Sequence, residues 1–122
     1  MNDLIHVLIA DDHPIVRQGL QAVLTPRNGM KIIGEAAGGL EVIDLARALN
    51  PDVIVMDLAM PETTGVEATA QIVRENPGAR VLILTSFGTD ELVGQAIRAG
   101  AMGFLLKESQ PEDLLHAIRS VH

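Results

Sequence analysis

The apolar positions of this chain follow two alternating rhythms. Four short apolar runs, Ile5 to Ala10, Val53 to Met56, Val81 to Leu84 and Phe104 to Leu106, are too brief for helices and lack strict polar alternation. Runs of this kind predict strands buried on both faces, as in a parallel sheet. A weaker run from Met30 to Ala37, just ahead of Gly38-Gly39, predicts a fifth strand. Between the strands the apolar residues recur at helical spacing, as in Ile15, Val16, Leu20, Val23 and Leu24, and again in Val42, Ile43, Ala46 and Leu49.

Local punctuation fits this division. Thr64 with Glu67 and Ser109 with Glu112 have the spacing of a capping box at a helix start, and Asn50-Pro51 and Asn76-Pro77 each close a helix before the next strand. The last helix is predicted from Pro111 to Val121, with Leu114, Leu115, Ile118 and Val121 on one stripe. Strand and helix therefore alternate five times, which predicts a (βα)5 three-layer α/β sandwich in a single domain spanning residues 1–122. No linker or repeat interrupts it.

Composition narrows what such a domain can do. Only Phe87 and Phe104 are aromatic, so base stacking is not available in quantity, and a net charge of -7 opposes contact with DNA phosphates or anionic lipid. The absence of cysteine excludes a disulfide framework, a thiolate nucleophile and a zinc-thiolate site, and fits a reducing cytoplasm. The start Met1-Asn2-Asp3 lacks the basic residues of a signal peptide, and no apolar run approaches the ~20 residues that span a bilayer. A soluble, cytoplasmic protein that does not engage membranes is expected.

Ligands of open α/β sheets collect beyond the carboxyl ends of the strands. Those ends carry Asp11 and Asp12 after the first strand, Asp57 after the third, Thr85 after the fourth and Lys107 after the fifth. Each has a plainer role when taken singly: Asp12 as a helix cap, Asp57 as a satisfied buried carboxylate or turn opener, Thr85 as a strand former, Lys107 as a solvated lysine. Together they converge on one edge of the sheet, while the opposite edge offers only Asp52 and Arg80. Like charges ~4 Å apart repel by about 4 kcal/mol at an effective dielectric near 20, so cations belong among the carboxylates. A hard divalent ion such as Mg²⁺ (or Mn²⁺) suits an all-oxygen site with open positions, Lys107 adds a fixed charge, and Thr85 adds a hydroxyl. These groups neutralise the oxygens of a transferring phosphoryl group, for which a carboxylate can be the nucleophile.

Several segments resemble the signature blocks of response regulator receiver domains. They are Asp11-Asp12-His13-Pro14-Ile15-Val16-Arg17-Gln18-Gly19-Leu20, then Asp57-Leu58-Ala59-Met60-Pro61 with Gly65, Leu84-Thr85-Ser86, Ala99-Gly100-Ala101 and Leu106-Lys107. The D-D-H opening with R-x-G, the stretch Gly65 to Thr69 and the stretch Gly100 to Lys107 are most similar to the NarL/FixJ-type receivers that usually precede a LuxR-type DNA-binding domain. The resemblance covers essentially the whole chain. It implies a CheY-like, flavodoxin-like fold with sheet order 2-1-3-4-5 and a Mg²⁺-dependent switch phosphorylated by a sensor histidine kinase.

The resemblance also distributes roles. It makes Asp57 the phosphoacceptor, with Asp12, Asp57 and the carbonyl of Ala59 holding Mg²⁺ directly and Asp11 acting through a metal-bound water. Thr85 and Lys107 would contact the phosphoryl oxygens, and Phe104 would be the aromatic that follows the movement of Thr85. The domain would catalyse only its own phosphorylation and dephosphorylation, and would dimerise when phosphorylated. Two surfaces could serve: the first and fifth helices, or the fourth helix with the fifth strand and helix, where Leu92 and Val93 mark either a partner face or core packing. DNA would be reached only through a C-terminal domain outside this chain.

Some positions depart from the family pattern. Glu108 follows Lys107 where receivers often have a proline held by a cis peptide, and a cis bond before a non-proline residue costs about 2.5 to 4 kcal/mol. Thr63-Thr64 replaces the more usual Met-Asp before Gly65, and Ala59 has no side chain to hold an attacking water. Three other readings stand beside the first: a stand-alone receiver that signals by docking to another protein, a phosphatase of the aspartyl-phosphate type and a flavodoxin-like cofactor binder. The phosphatase would need a second acid where Ala59 stands, and the cofactor binder a Gly, Ser and Thr-rich cradle where the chain is acidic.

Overall fold

A computed structural model describes residues 3–86 and 88–122; Met1, Asn2 and Phe87 lie outside the described residues. The elements are β1 (Ile5–Ala10), α1 (Pro14–Val23), a short 3-10 turn (Pro26–Asn28), β2 (Met30–Ala36), α2 (Gly39–Leu49), β3 (Val53–Met56), α3 (Gly65–Glu75), β4 (Val81–Thr85), α4 (Asp90–Ala99), β5 (Gly103–Leu106) and α5 (Pro111–Val121). The five strands are all parallel and lie in the order β2-β1-β3-β4-β5. This is the CheY-like, flavodoxin-like arrangement, and the chain reverses its direction of travel across the sheet at β1 and β3.

Burial on both faces explains why the strand runs do not alternate. Val7 and Ile9 of β1 enter one cluster with Leu20 of α1 and Leu114 and Ile118 of α5. Their neighbours Leu8 and Ala10 enter a second cluster with Val42 and Ile43 of α2, Ala68 and Ile72 of α3 and Ala96 of α4. Two helices thus cover one face of the sheet and three the other, and each fully buried aliphatic side chain contributes roughly 1.5–3 kcal/mol. Leu92 packs against the second cluster, so on α4 it is a core residue.

Helix ends follow local chemistry. Thr64 and Glu67 form the expected reciprocal capping box at α3, with backbone-to-side-chain bonds of 3.1 and 3.2 Å. Asn50 closes α2 in the left-handed region at φ 47, and α3 stops at Asn76. The cap expected at Ser109 is displaced by one residue: α5 starts at Pro111, and its cap is Gln110, whose N–H donates to Asp113 Oδ2 at 3.1 Å. Proline at the first helical position presets the helical φ, and this makes the preceding residue the cap. Between α2 and α3, Arg47 donates twice to Glu75 at 2.6 Å, and these bonds with that from Gln71 hold the Glu75 carboxyl down to about 2. No helix among the described residues is long and apolar enough to cross a membrane.

Among the described residues, one buried side-chain polar atom lacks a partner. Thr69 is fully buried in α3 and its Oγ1 accepts and donates no hydrogen bond. A hydroxyl desolvated without compensation opposes folding. Thr69→Val, which keeps the shape and branching, is expected to stabilise the domain by about 1 kcal/mol in urea denaturation.

Candidate functional site

The carboxyl ends of β1 and β3 bring two buried acids together. Asp11 and Asp57 are 2% and 3% exposed, and each is held by its backbone as an extension of the sheet. The Asp11 N–H donates to Ala36 of β2 at 3.0 Å, and the Asp57 N–H donates to Ala10 of β1 at 2.9 Å. The strand ladders thus continue into the site and fix both Cα atoms before any side-chain contact is counted.

Lys107 answers these acids from the edge of the sheet. Its N–H donates to the Thr85 carbonyl at 2.9 Å, and its long stem carries the ammonium to Asp11 Oδ2 at 2.6 Å and Asp57 Oδ2 at 3.1 Å. Burial pulls the Lys107 pKa down, but the hydrogen bonds to Asp11 and Asp57 and their charges outweigh it and hold the group above its ordinary value. Lys107 also borders a groove of about 240 Å³ between α1 and α5, with Leu20, Val23, Leu105 and Leu114 among its other walls. The Lys107–Glu108 peptide is trans, as is every bond among the described residues.

Asp12 completes the acidic group and does not cap α1. The cap is His13, which makes no side-chain cap bond; Pro14 at the first helical position leaves no N–H there to be capped. The His13 N–H donates to Asp11 Oδ1 at 2.8 Å, and its Nδ1 lies 2.9 Å from Asp11 Oδ1 and 3.1 Å from Asp12 Oδ1. Ligand atoms of Asp11, Asp12, His13 and Asp57 all fall within 4.8 Å of one another. Three carboxylates therefore face one fixed ammonium, an oxygen-rich set with an excess of negative charge that fits a hard divalent cation retaining several waters.

The remaining expected site residues occupy different positions. Thr85 is fully buried at the end of β4, paired with Leu106. Ala59 is exposed in the loop two residues past Asp57. Phe104 is partly buried, pairs with Ile83 and packs against the core, so the structure places it beneath the site and not among the carboxylates. At Asp52, on the opposite edge, the carboxylate simply accepts the His6 N–H at 2.8 Å.

Two features escape a reading of residue types alone. His13 joins the acidic cluster, and only its adjacency to Asp11-Asp12 hints at this. Gly65 sits against the backbone that leaves β3 so closely that a Cβ there would overlap the Asp57 carbonyl oxygen, while its N–H donates to the Leu58 carbonyl at 2.8 Å. Glu62, exposed in the same loop, takes the left-handed region at φ 68, which residues other than glycine adopt at a cost.

Comparisons with known proteins agree with this architecture. The family model for the response regulator receiver domain matches residues 7–119. The transcriptional regulatory protein YxjL of Bacillus subtilis (strain 168) is 46% identical over 118 residues, covering 97% of this chain and 54% of that protein. A crystal structure of a LuxR-family two-component response regulator from Aurantimonas sp. SI85-9A1 superposes with a TM-score of 0.92 at 37% identity, covering 98% of this chain and 85% of that one. The CheX-CheY-BeF3-Mg complex from Borrelia burgdorferi gives 0.89 at 28% identity, covering 96% and 88%. The chain belongs to the response regulator receiver domain family, and its relatives include a transcriptional regulatory protein and a two-component response regulator of the LuxR family. It spans about half (54%) of the length of YxjL.

Two predictions come from this geometry. Gly65→Ala is expected to destabilise the domain by roughly 1–3 kcal/mol in urea denaturation, because the added methyl must push the Asp57 backbone aside. Because the Lys107 pKa is raised on folding, its contribution is complete below the unfolded value near 10.5 and disappears as pH rises through the folded one. The difference in thermal midpoint between wild type and Lys107→Met should be constant near neutral pH and shrink above about pH 10.5.

Proposed function

We propose that this domain accepts a phosphoryl group on Asp57 from a phosphohistidine of a sensor histidine kinase, in a reaction that depends on Mg²⁺, and that the modified state dimerises. The observation that carries the reading is the buried Asp57 carboxylate, held by the backbone at the end of β3 with the Lys107 ammonium 3.1 Å away and Asp11 and Asp12 beside it. A similar protein, CheY of Borrelia burgdorferi, has been crystallised in a complex with BeF3 and Mg²⁺, and this supports a reading in which the domain takes both a divalent cation and a phosphoryl group.

An Asp57 oxygen attacks phosphorus in line, a new O–P bond forms as the P–N bond to the donor imidazole breaks, and the electron pair leaves with the imidazole nitrogen. Lys107 neutralises charge on the phosphoryl oxygens, and Thr85 offers them a hydroxyl. Asp11 and Asp12, with Asp57 and the Ala59 carbonyl, would hold Mg²⁺, which when bound supplies the remaining positive charge. The acyl phosphate adds charge and acceptor oxygens, drawing Thr85 inward with Phe104 following. The domain acts only on itself, and control of transcription passes through a C-terminal DNA-binding domain like those implied by its LuxR-type relatives.

Incubation with acetyl phosphate and Mg²⁺ should add the mass of one phosphoryl group to wild type and none to Asp57→Ala, read by intact mass spectrometry. Equal gain by the variant, or no gain by wild type, would overturn the assignment. The same samples on a sizing column should show the dimer only where phosphate is gained.

A further inference from the structure

We propose that Arg17 is a positioning residue of this pocket: by anchoring the Asp11 carbonyl to β2 through Glu35, it holds Asp11 and Asp12 in the convergent arrangement that binds the divalent cation. The inference rests on the function proposed above and adds a residue that takes no part in the chemistry.

Arg17 lies in the first turns of α1 with its side chain 21% exposed, and its Nη1 donates to the Asp11 carbonyl at 2.6 Å. Its Nε lies 3.3 Å from Glu35 Oε1 near the end of β2, and Glu35 Oε2 accepts from Gln21 Nε2 at 2.5 Å one turn further along α1. The Asp11 N–H is bonded to Ala36, the residue after Glu35. Asp11 is thus tied to β2 on both sides, directly at its N–H and through the Arg17 guanidinium at its carbonyl.

The carbonyl contact is what gives the tie its effect. The peptide that joins Asp11 to Asp12 orients both carboxylates, and their mutual repulsion favours turning that peptide so that the more exposed Asp12 swings toward water. A charge-assisted hydrogen bond to the same peptide resists this rotation. Toward the pocket the guanidinium touches the Asp11 main chain and not its carboxylate, and Glu35 offsets its charge, so its influence is geometric.

Geometry and field predict opposite signs. Removing a cation beside an acidic pocket should, through the field alone, tighten Mg²⁺ binding; losing the anchor should weaken it. We expect Arg17→Ala to raise the Mg²⁺ dissociation constant by calorimetry, and the half-saturating Mg²⁺ for acetyl phosphate labelling, by about three- to tenfold. The labelling rate at saturating Mg²⁺ should change less than about twofold, because the nucleophile and Lys107 are untouched. Arg17→Lys, whose ammonium can still donate to the carbonyl, should recover most of the affinity. Unchanged or tighter Mg²⁺ binding in Arg17→Ala would overturn the proposal, as would Arg17→Lys behaving like Arg17→Ala. A fall in the saturated rate matched by a lowered thermal midpoint would assign Arg17 a purely structural role and overturn it too. If wild type bound no Mg²⁺ and took no phosphate, the proposed function would fail and this inference with it; a normal wild type with an unaffected variant would sink this inference alone.

Discussion

Two carboxylates stand at the ends of neighbouring central strands with almost no access to water, and one ammonium lies against both. The rest of the domain is organised around that contact. A buried acid left without a partner is strongly destabilising, and two acids side by side are worse. The Lys107 ammonium makes the pair tolerable in a folded protein, and the short apolar strands beneath it, buried on both faces, offset the cost that remains. Because one cation faces three carboxylates, the site keeps an appetite for further positive charge.

The sheet supplies precision more than stability at this point. Asp11 and Asp57 take their backbone hydrogen bonds from β2 and β1, so their positions are inherited from ladders whose other members are core residues. The side chains then have little left to decide. Where the ladder stops, at Asp12 and beyond, order has to come from side chains, and there His13 and Arg17 converge on the same short segment.

Much of this was legible from residue order. β1, β3 and α5 begin and end where the apolar pattern places them, since burial on both faces leaves an unbroken run with few alternative readings. The Thr64–Glu67 box was legible because both partners lie within one turn, whereas Pro111 shifted the α5 cap from Ser109 to Gln110. The strand-end rule assembled Asp11, Asp12, Asp57, Thr85 and Lys107 on one edge. What it could not convey was reach: that the Lys107 stem crosses to both buried acids, that His13 turns back onto the acids before it, and that Gly65 abuts the Asp57 carbonyl. Those depend on side-chain and loop paths between elements distant in sequence, which periodicity does not encode.

Lys107 belongs to two neighbourhoods. Its head is inside the pocket, while the same residue forms part of the wall of the groove between α1 and α5. The residue whose ammonium balances the two buried acids is therefore also a neighbour of Leu20, Leu105 and Leu114, so the charged pocket and one outer flank of the domain meet at a single side chain.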